Sequence, residues 1–459
     1  SIKEVIQTLI EAMFLVFFWC ITLSTQLPRK KRALGGRVFS LVMVVALSLG
    51  TFYIAEANNM IGMITGGNYQ VNNMVVAVLA DDPAESIEDA ADYNFGVQFS
   101  RGAENMQAAV TDIQEELGSD INMTEYDSVQ EQAEALHDGD VEAIIYNAAY
   151  TDLLEESFEG YSKSVKIIYS HSIRVELNFG TSSSDDSLTK KPFTVYISGI
   201  DVYGEVTEIS RSDVNIIAVV NPTTHQILLV TTPRDYYVEI PGESHGEKDK
   251  LTHAGIYGID ASMATLGELY ETDINYYVRL NFTSMIDIVD ILGGVDVESE
   301  YEFTTSKNAG VVMDVKKGLN HFDGEEALAF SRERKNLPDG DNQRGKNQQA
   351  VITAMLKKVL SPTMLLKASS IMNQVSKDVE TNVTQGQLNA LIRNQLGSNA
   401  KWTIQSVAAE GTGARDYCYS SGDQLLYVTV PDYESVDKII DLVNVVEEGG
   451  ILEDAESLN

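Results

Sequence analysis

The residues with the clearest chemical potential are acids and arginines at the ends of apolar runs. Asp201 closes PFTVYISGID, Asp213 precedes VNIIAVV, and Arg234 follows QILLVTT, with Arg211 just ahead of Asp213. Farther on, residues 331–349 read SRERKNLPDGDNQRGKNQQ and gather Arg332, Arg334, Lys335, Arg344 and Lys346 around a Pro-Asp-Gly turn. Guanidinium forks match phosphate oxygens bidentately. Magnesium takes one or two carboxylates and fills its other positions with water and phosphate oxygens. Asp201 and Asp213 are therefore candidate magnesium ligands, and the arginines candidates for a phosphate. The plainer alternative is local ion pairing, because Asp213, Asp235, Glu333 and Asp341 lie close to these arginines in sequence. For the two aspartates it is loop capping. Spacing alone leaves both readings open.

Other chemistries find no support. The chain has no GxxxxGK[ST] loop, no HExxH and no GxSxG. Its six histidines are scattered, so His253 reads as a structural or hydrogen-bonding residue rather than a zinc ligand. PDGDN is more cheaply an Asp-Gly turn than a metal loop.

These side chains need a scaffold. VNIIAVV and QILLVTT, joined by NPTTH, predict a hairpin. If PFTVYISGID pairs beside it, Asp201, Asp213 and Arg234 share one sheet edge. Even without that, the hairpin brings Asp213 to Arg234. INYYVRLN predicts a strand, and ASMATLGELY and FTSMIDIVDILGG predict helices, the last stopped by Gly293-Gly294. DGEEALAFSRER predicts a short helix, and QQAVITAMLKKVL an amphipathic one with lysines in its last turns. Upstream, MVVAVLA and VEAIIYN read as buried strands, and AENMQAAVTDIQEEL and VQEQAEALHDG as helices. From 81 to 160 the only basic residue is Arg101. This small α/β region reads as a solvated acidic surface, with a docking face for a cationic partner as the minority reading.

The chain carries 68 acids against 33 bases, a formal charge of -35, which argues against nucleic acid as a partner. Residues 5–27 and 38–56 are apolar over about a bilayer's thickness, although Glu11 interrupts the first. PRKKRALGGR between them predicts a cytoplasmic loop and an exterior location from about residue 57. Residue 1 is Ser, which leaves an upstream start and a further span open. Cys20 and Cys418 are too far apart in setting to expect a disulfide.

Together the segments SGIDVYGEVTEISRSDVNIIAVVNPTTHQILLVTTPRDYYVEIPG, DKLTHAGIYG, NYYVRLNFTSMIDIVDILGGVDVE and GLNHFDGEEALAFSRERKNLPDGDNQRGKNQQAVI resemble the LytR-CpsA-Psr family. The layout before residue 192 resembles its CpsA branch from streptococcal capsule clusters. The resemblance implies an α/β fold with a mixed central β-sheet flanked by helices, in residues 192–450. Residues 1–60 would be two transmembrane helices with their basic loop, 72–175 an acidic accessory domain and 176–191 a linker.

The implied activity is a magnesium-assisted phosphotransferase. It moves a glycopolymer, here capsular polysaccharide, from an undecaprenyl pyrophosphate carrier onto peptidoglycan at the outer face of the cell membrane. Further capsule-synthesis membrane proteins are possible partners by the same resemblance. Asp201 and Asp213 would be the metal ligands. Arg211, Arg234, Arg332, Arg334, Arg344 and Gln348 would line the pyrophosphate pocket, with Asp213, Arg234 and Arg211 the catalytic residues. Lys335 and Lys346 are expected to face solvent. Many relatives carry Arg where this chain has Asn347, which would remove one cation unless Lys346 compensates. A carrier-lipid-binding regulator without turnover and a pyrophosphatase are the rival readings.

Overall fold

A computed structural model describes residues 69–176, 187–200, 209–338, 340–361, 364, 379–398, 400–422 and 424–452. The expected spans 5–27 and 38–56, Cys20, Asp201 and most of the 176–191 linker lie outside the described residues. Among the described residues no helix is long and apolar enough to cross a membrane.

The acidic region is a five-stranded sheet of β1 (Tyr69–Leu79), β2 (Asn94–Val97), β3 (Asn122–Glu125), β4 (Ala143–Asn147) and β5 (Val165–Glu176), in the order β3-β2-β4-β1-β5. Consecutive residues 74 to 78 of β1 are all buried, because both faces of the sheet are covered. One face takes Met74, Val76 and Val78 against Met106, Val110 and Ile113 of helix α1 (Ala103–Leu117), whose spacing puts those three on one side. The other face takes Val75 and Ala77 against α2 (Val129–Asp138) and α3 (Thr151–Ser157). That second cluster also includes Cys418, Leu426 and Val428 from a C-terminal hairpin. The accessory sheet and the C-terminal region thus share one apolar core, and their described residues belong to one compact unit. Burial pushes the free Cys418 thiol well above its ordinary range.

The larger sheet is mixed. Its centre is antiparallel: β6 (Phe193–Ile200), β7 (Ser212–Asn221) and β8 (Gln226–Thr232) pair in sequence order. The expected hairpin and its third strand are therefore both present. β9 (Ile274–Leu280) runs parallel to β6, β10 (Val379–Thr381) antiparallel to β9, and β11 (Thr403–Ala408) parallel to β8.

Alternation along the strands splits their side chains between two layers. Ile217, Val219 and Val230 pack with Leu266 and with Ile439 and Val443 of the C-terminal helix Tyr433–Glu447. Each such burial contributes about 1.5–3 kcal/mol. Following β8 come α4 (Leu251–Tyr257) and α5 (Ile259–Leu269). On the opposite face, Ile216 and Leu229 meet Ile352 and Leu356 of a long helix. That face is completed by α6 (Phe282–Ile291), α7 (Gly324–Arg332) and the long helix itself, α8 (Asp341–Val359). These three pack through Val289, Phe330 and Val351.

Candidate anion site between the mixed sheet and helices

The sheet wall of the site is built at a bulge. Gly199 pairs with Val214 and Ile200 with Ser212, so Asp213 is the extra residue of β7. Such a bulge breaks the ladder and re-aims a side chain. Gly199 is required there, because a Cβ would lie 2.7 Å from Val214 Cβ. Arg234, just past β8, donates from Nη1 to Asp213 Oδ1 at 2.9 Å. Its Nε lies 3.6 Å from Asp235 Oδ2. The hairpin thus joins the two residues that the pattern placed at its open end.

The helical wall begins with two capping boxes. Asn281 and Ser284 cap α6, and Asp323 and Glu326 cap α7. Arg332 ends α7 and lies over the Phe282 ring, 4.2 Å from its centroid, a cation–π contact. Glu333 departs from the expected ion pairing with its arginine neighbours. It is fully buried and accepts the backbone N–H groups of Arg334 at 3.0 Å, Lys335 at 2.8 Å and Asn336 at 3.1 Å, and that of Ser306. Burial pushes its carboxyl up, but these bonds win and hold it below the usual range. Glu333 therefore fixes the loop that presents Arg334 and Lys335.

The next helix differs from expectation at its start. α8 opens at Asp341 rather than near Gln348, so Arg344 and Gln348 stand one turn apart on it. Gly340 supplies the entry at φ 51°, a conformation that other residues resist.

Between the two walls lies a cavity of about 330 Å³, within the range of small-molecule pockets. Ile197, Val214, Leu280, Met285, Ile352 and Met355 give it apolar walls. Its polar lining includes Asp213, Arg234, Arg332, Arg334, Arg344 and Gln348, together with Lys335. Lys335 is thus exposed, as expected, yet also borders the cavity. Five cations face one carboxylate among the described lining residues, an excess suited to an anion. Burial pushes the Asp213 carboxyl up, but the guanidiniums of Arg234, Arg211 and Arg344 outweigh it and hold the group ionised below the usual range.

Four residues singled out in the sequence fall elsewhere. Arg211 is not among the described lining residues and instead meets Asp152 and Glu156 of α3, at 3.2 and 3.3 Å. Asn347 is buried and donates to the Phe330 carbonyl at 3.2 Å, while Lys346 is exposed and borders no part of the described cavity. His253 is buried against Asp249 and Ser420, at 2.6 and 2.8 Å from its Nδ1, in the hydrogen-bonding role expected of it.

Among the described residues no three His, Cys, Asp or Glu side chains converge as a metal cluster. The bonds that Asp213 makes there fall on Oδ1, from Arg234 and, at 3.5 Å, from Thr252 Oγ1. Asp213 is the one carboxylate among the described lining residues of the cavity, and magnesium needs few protein ligands.

Comparison with known proteins shows the family. Residues 156–444 match the model of the LytR_cpsA_psr family. The chain belongs to the LytR-CpsA-Psr family. It is an enzyme, a transferase by its relatives. The polyisoprenyl-teichoic acid–peptidoglycan teichoic acid transferase TagU of Bacillus mycoides is 34% identical over 243 residues, 53% of this chain and 75% of the relative. The protein of the same name from Enterococcus faecalis is 33% identical over 226 residues, 49% and 72%. Among solved structures, B. subtilis TagV is 27% identical, covering 56% of this chain and 98% of that one with a TM-score of 0.48. TagT bound to LI-WTA is 26% identical, covering 60% and 99% with a TM-score of 0.46. Residues 30–146 also match a DNA polymerase processivity factor model. Between 81 and 146 that stretch holds Arg101 as its one basic residue, a surface that repels nucleic acid.

Proposed function

We propose that this LytR-CpsA-Psr protein is a membrane-anchored extracellular phosphotransferase. It would attach a glycopolymer, capsular polysaccharide in particular, from an undecaprenyl pyrophosphate carrier to peptidoglycan. The observation that carries the reading is the cavity itself, in which an apolar lining meets the cation cluster of Arg234, Arg332, Arg334, Lys335 and Arg344. A polyprenyl pyrophosphate carries the complements of both, an apolar tail and an anion, in one molecule. The relatives named as teichoic acid–peptidoglycan transferases support a glycopolymer passed to peptidoglycan; the choice of capsular polysaccharide rests on the resemblance to the CpsA branch. The apolar runs 5–27 and 38–56 supply the anchor.

In this scheme an acceptor hydroxyl attacks the sugar-linked phosphorus. The bond from that phosphorus to the bridging oxygen breaks, undecaprenyl phosphate leaves, and the acceptor's proton passes to the departing phosphate. Arg234, Arg332, Arg334 and Arg344 neutralise charge that grows on the phosphoryl oxygens, and Gln348 adds a neutral donor. Asp213, with Asp201, would hold magnesium, which supplies further charge neutralisation when bound. Asp213 is held ionised by three guanidiniums, which suits a ligand better than a base.

The test is the purified chain in detergent with magnesium, a polyprenyl-pyrophosphate-linked glycan and peptidoglycan. Glycan transfer that Arg234→Ala abolishes supports the reading. Tight binding without turnover would replace it with a carrier-lipid-binding regulator, and phosphate release without transfer with a pyrophosphatase.

A further inference from the structure

The acidic accessory domain reaches the site through an unbroken run of alternating charges. Arg234 joins Asp213 to Asp235, and the buried Lys250 lies 3.4 Å from Asp235 and 2.5 Å from Glu156. Glu156 then meets Arg211, which also meets Asp152. Leu153 and Leu154, both fully buried, seat the helix that carries these two acids. Burial pushes the Glu156 carboxyl up, but Lys250, His253 and Arg211 outweigh it and keep it ionised.

Arg211 is the telling member. Its guanidinium side chain is 16% exposed. Each terminal nitrogen faces an accessory-domain carboxylate rather than the described cavity. Yet its charge still reaches Asp213, so Arg211 stands beside the site with both terminal nitrogens engaged by the accessory domain. A solvated acidic surface would not need this geometry. Here part of the domain's acidity is spent on cations of the same chain.

We propose that Asp152 and Glu156 set the ligand affinity of the cavity by holding Arg211 on the accessory domain, so that a ligand phosphate must compete with two carboxylates for this arginine. The inference rests on the reading of the cavity as a polyprenyl pyrophosphate site. It makes the accessory domain a determinant of that site.

The experiment titrates the full chain in detergent micelles with geranylgeranyl pyrophosphate by calorimetry, with melting followed in parallel. The variants are D152N, E156Q, their combination, R211A, the triple variant, and R334A as a control on the cavity. The combined D152N/E156Q variant should bind about threefold or more tightly than the parent chain, as expected when partly exposed ion pairs cease to compete. The gain should vanish in the R211A background. Should E156Q lower the melting temperature through the buried Lys250, D152N carries the test, because Asp152 is 59% exposed. Unchanged or weaker binding by a folded D152N/E156Q chain overturns the proposal. A parent chain that does not bind the probe, or an R334A chain that binds it equally well, overturns the anion-site reading and this inference with it.

Discussion

Replacing Glu333 by Ala removes the acceptor for the backbone N–H groups of Ser306, Arg334, Lys335 and Asn336 at once. A hydrogen bond to a charged group contributes about 1.5–3 kcal/mol. The four share one carboxylate and cannot add in full, and the donors from the exposed loop can regain water. A loss of about 3 kcal/mol is therefore expected for Glu333→Ala. For a unit of this size that lowers Tm by roughly 3–4 °C.

Glu333→Gln keeps an acceptor but loses the charge assistance, so a loss of about 1 kcal/mol is expected. The sign with pH follows from the depressed carboxyl. A carboxyl with a lowered folded pKa stabilises fully above its unfolded value, and that stability fades as pH falls through the folded one. The Tm gap between parent and Glu333→Gln should therefore narrow in acid. The same variants should weaken geranylgeranyl pyrophosphate binding, because Arg334 and Lys335 lose their fixed loop. Thermal melts from pH 7 down to about pH 3, paired with calorimetry, measure both effects. A Glu333→Ala chain with parental Tm and parental affinity would refute the role given to this residue.

Arg234→Ala should lower transfer turnover by about 10²–10³-fold in a steady-state assay while circular dichroism stays parental. Asp213→Ala should abolish the magnesium dependence of turnover, read from a magnesium titration. Arg234→Ala should also move the acid limb of magnesium-dependent binding to higher pH, because Asp213 loses the largest of the influences that hold its carboxyl down; an unmoved limb would contradict that. Met285→Glu should weaken geranylgeranyl pyrophosphate binding by about tenfold or more, since it puts a charge in the apolar lining. Inorganic pyrophosphate, which has no tail, should lose less affinity for this variant, because only repulsion by the new charge acts on it.

Local pattern alone determined a good deal. Alternation and turn residues in PFTVYISGID, VNIIAVV, NPTTH and QILLVTT specify three antiparallel strands and bring Asp213 to Arg234. Segment order carried the family resemblance, and the basic residues of 331–349 marked the second wall. What the sequence withheld depends on contacts distant along the chain. Glu333 read as a salt-bridge partner because its neighbours are arginines, but the fold buries it against backbone donors that include Ser306.

The start of α8 was hidden because the polar run DNQRGKN has no apolar period, and packing of Val351 and Met355 on α6 and α7 supports the helix from its other end. Arg211 and Asp213 share a short segment, yet the bulge sends Asp213 to the cavity while Arg211 meets α3, 55 residues away from it in sequence at Glu156. Periodicity reports which face a residue takes within its own element. Only the docking of one element on another decides which charge a side chain finally meets, because Coulomb energy depends on distance in space and on the burial that removes water.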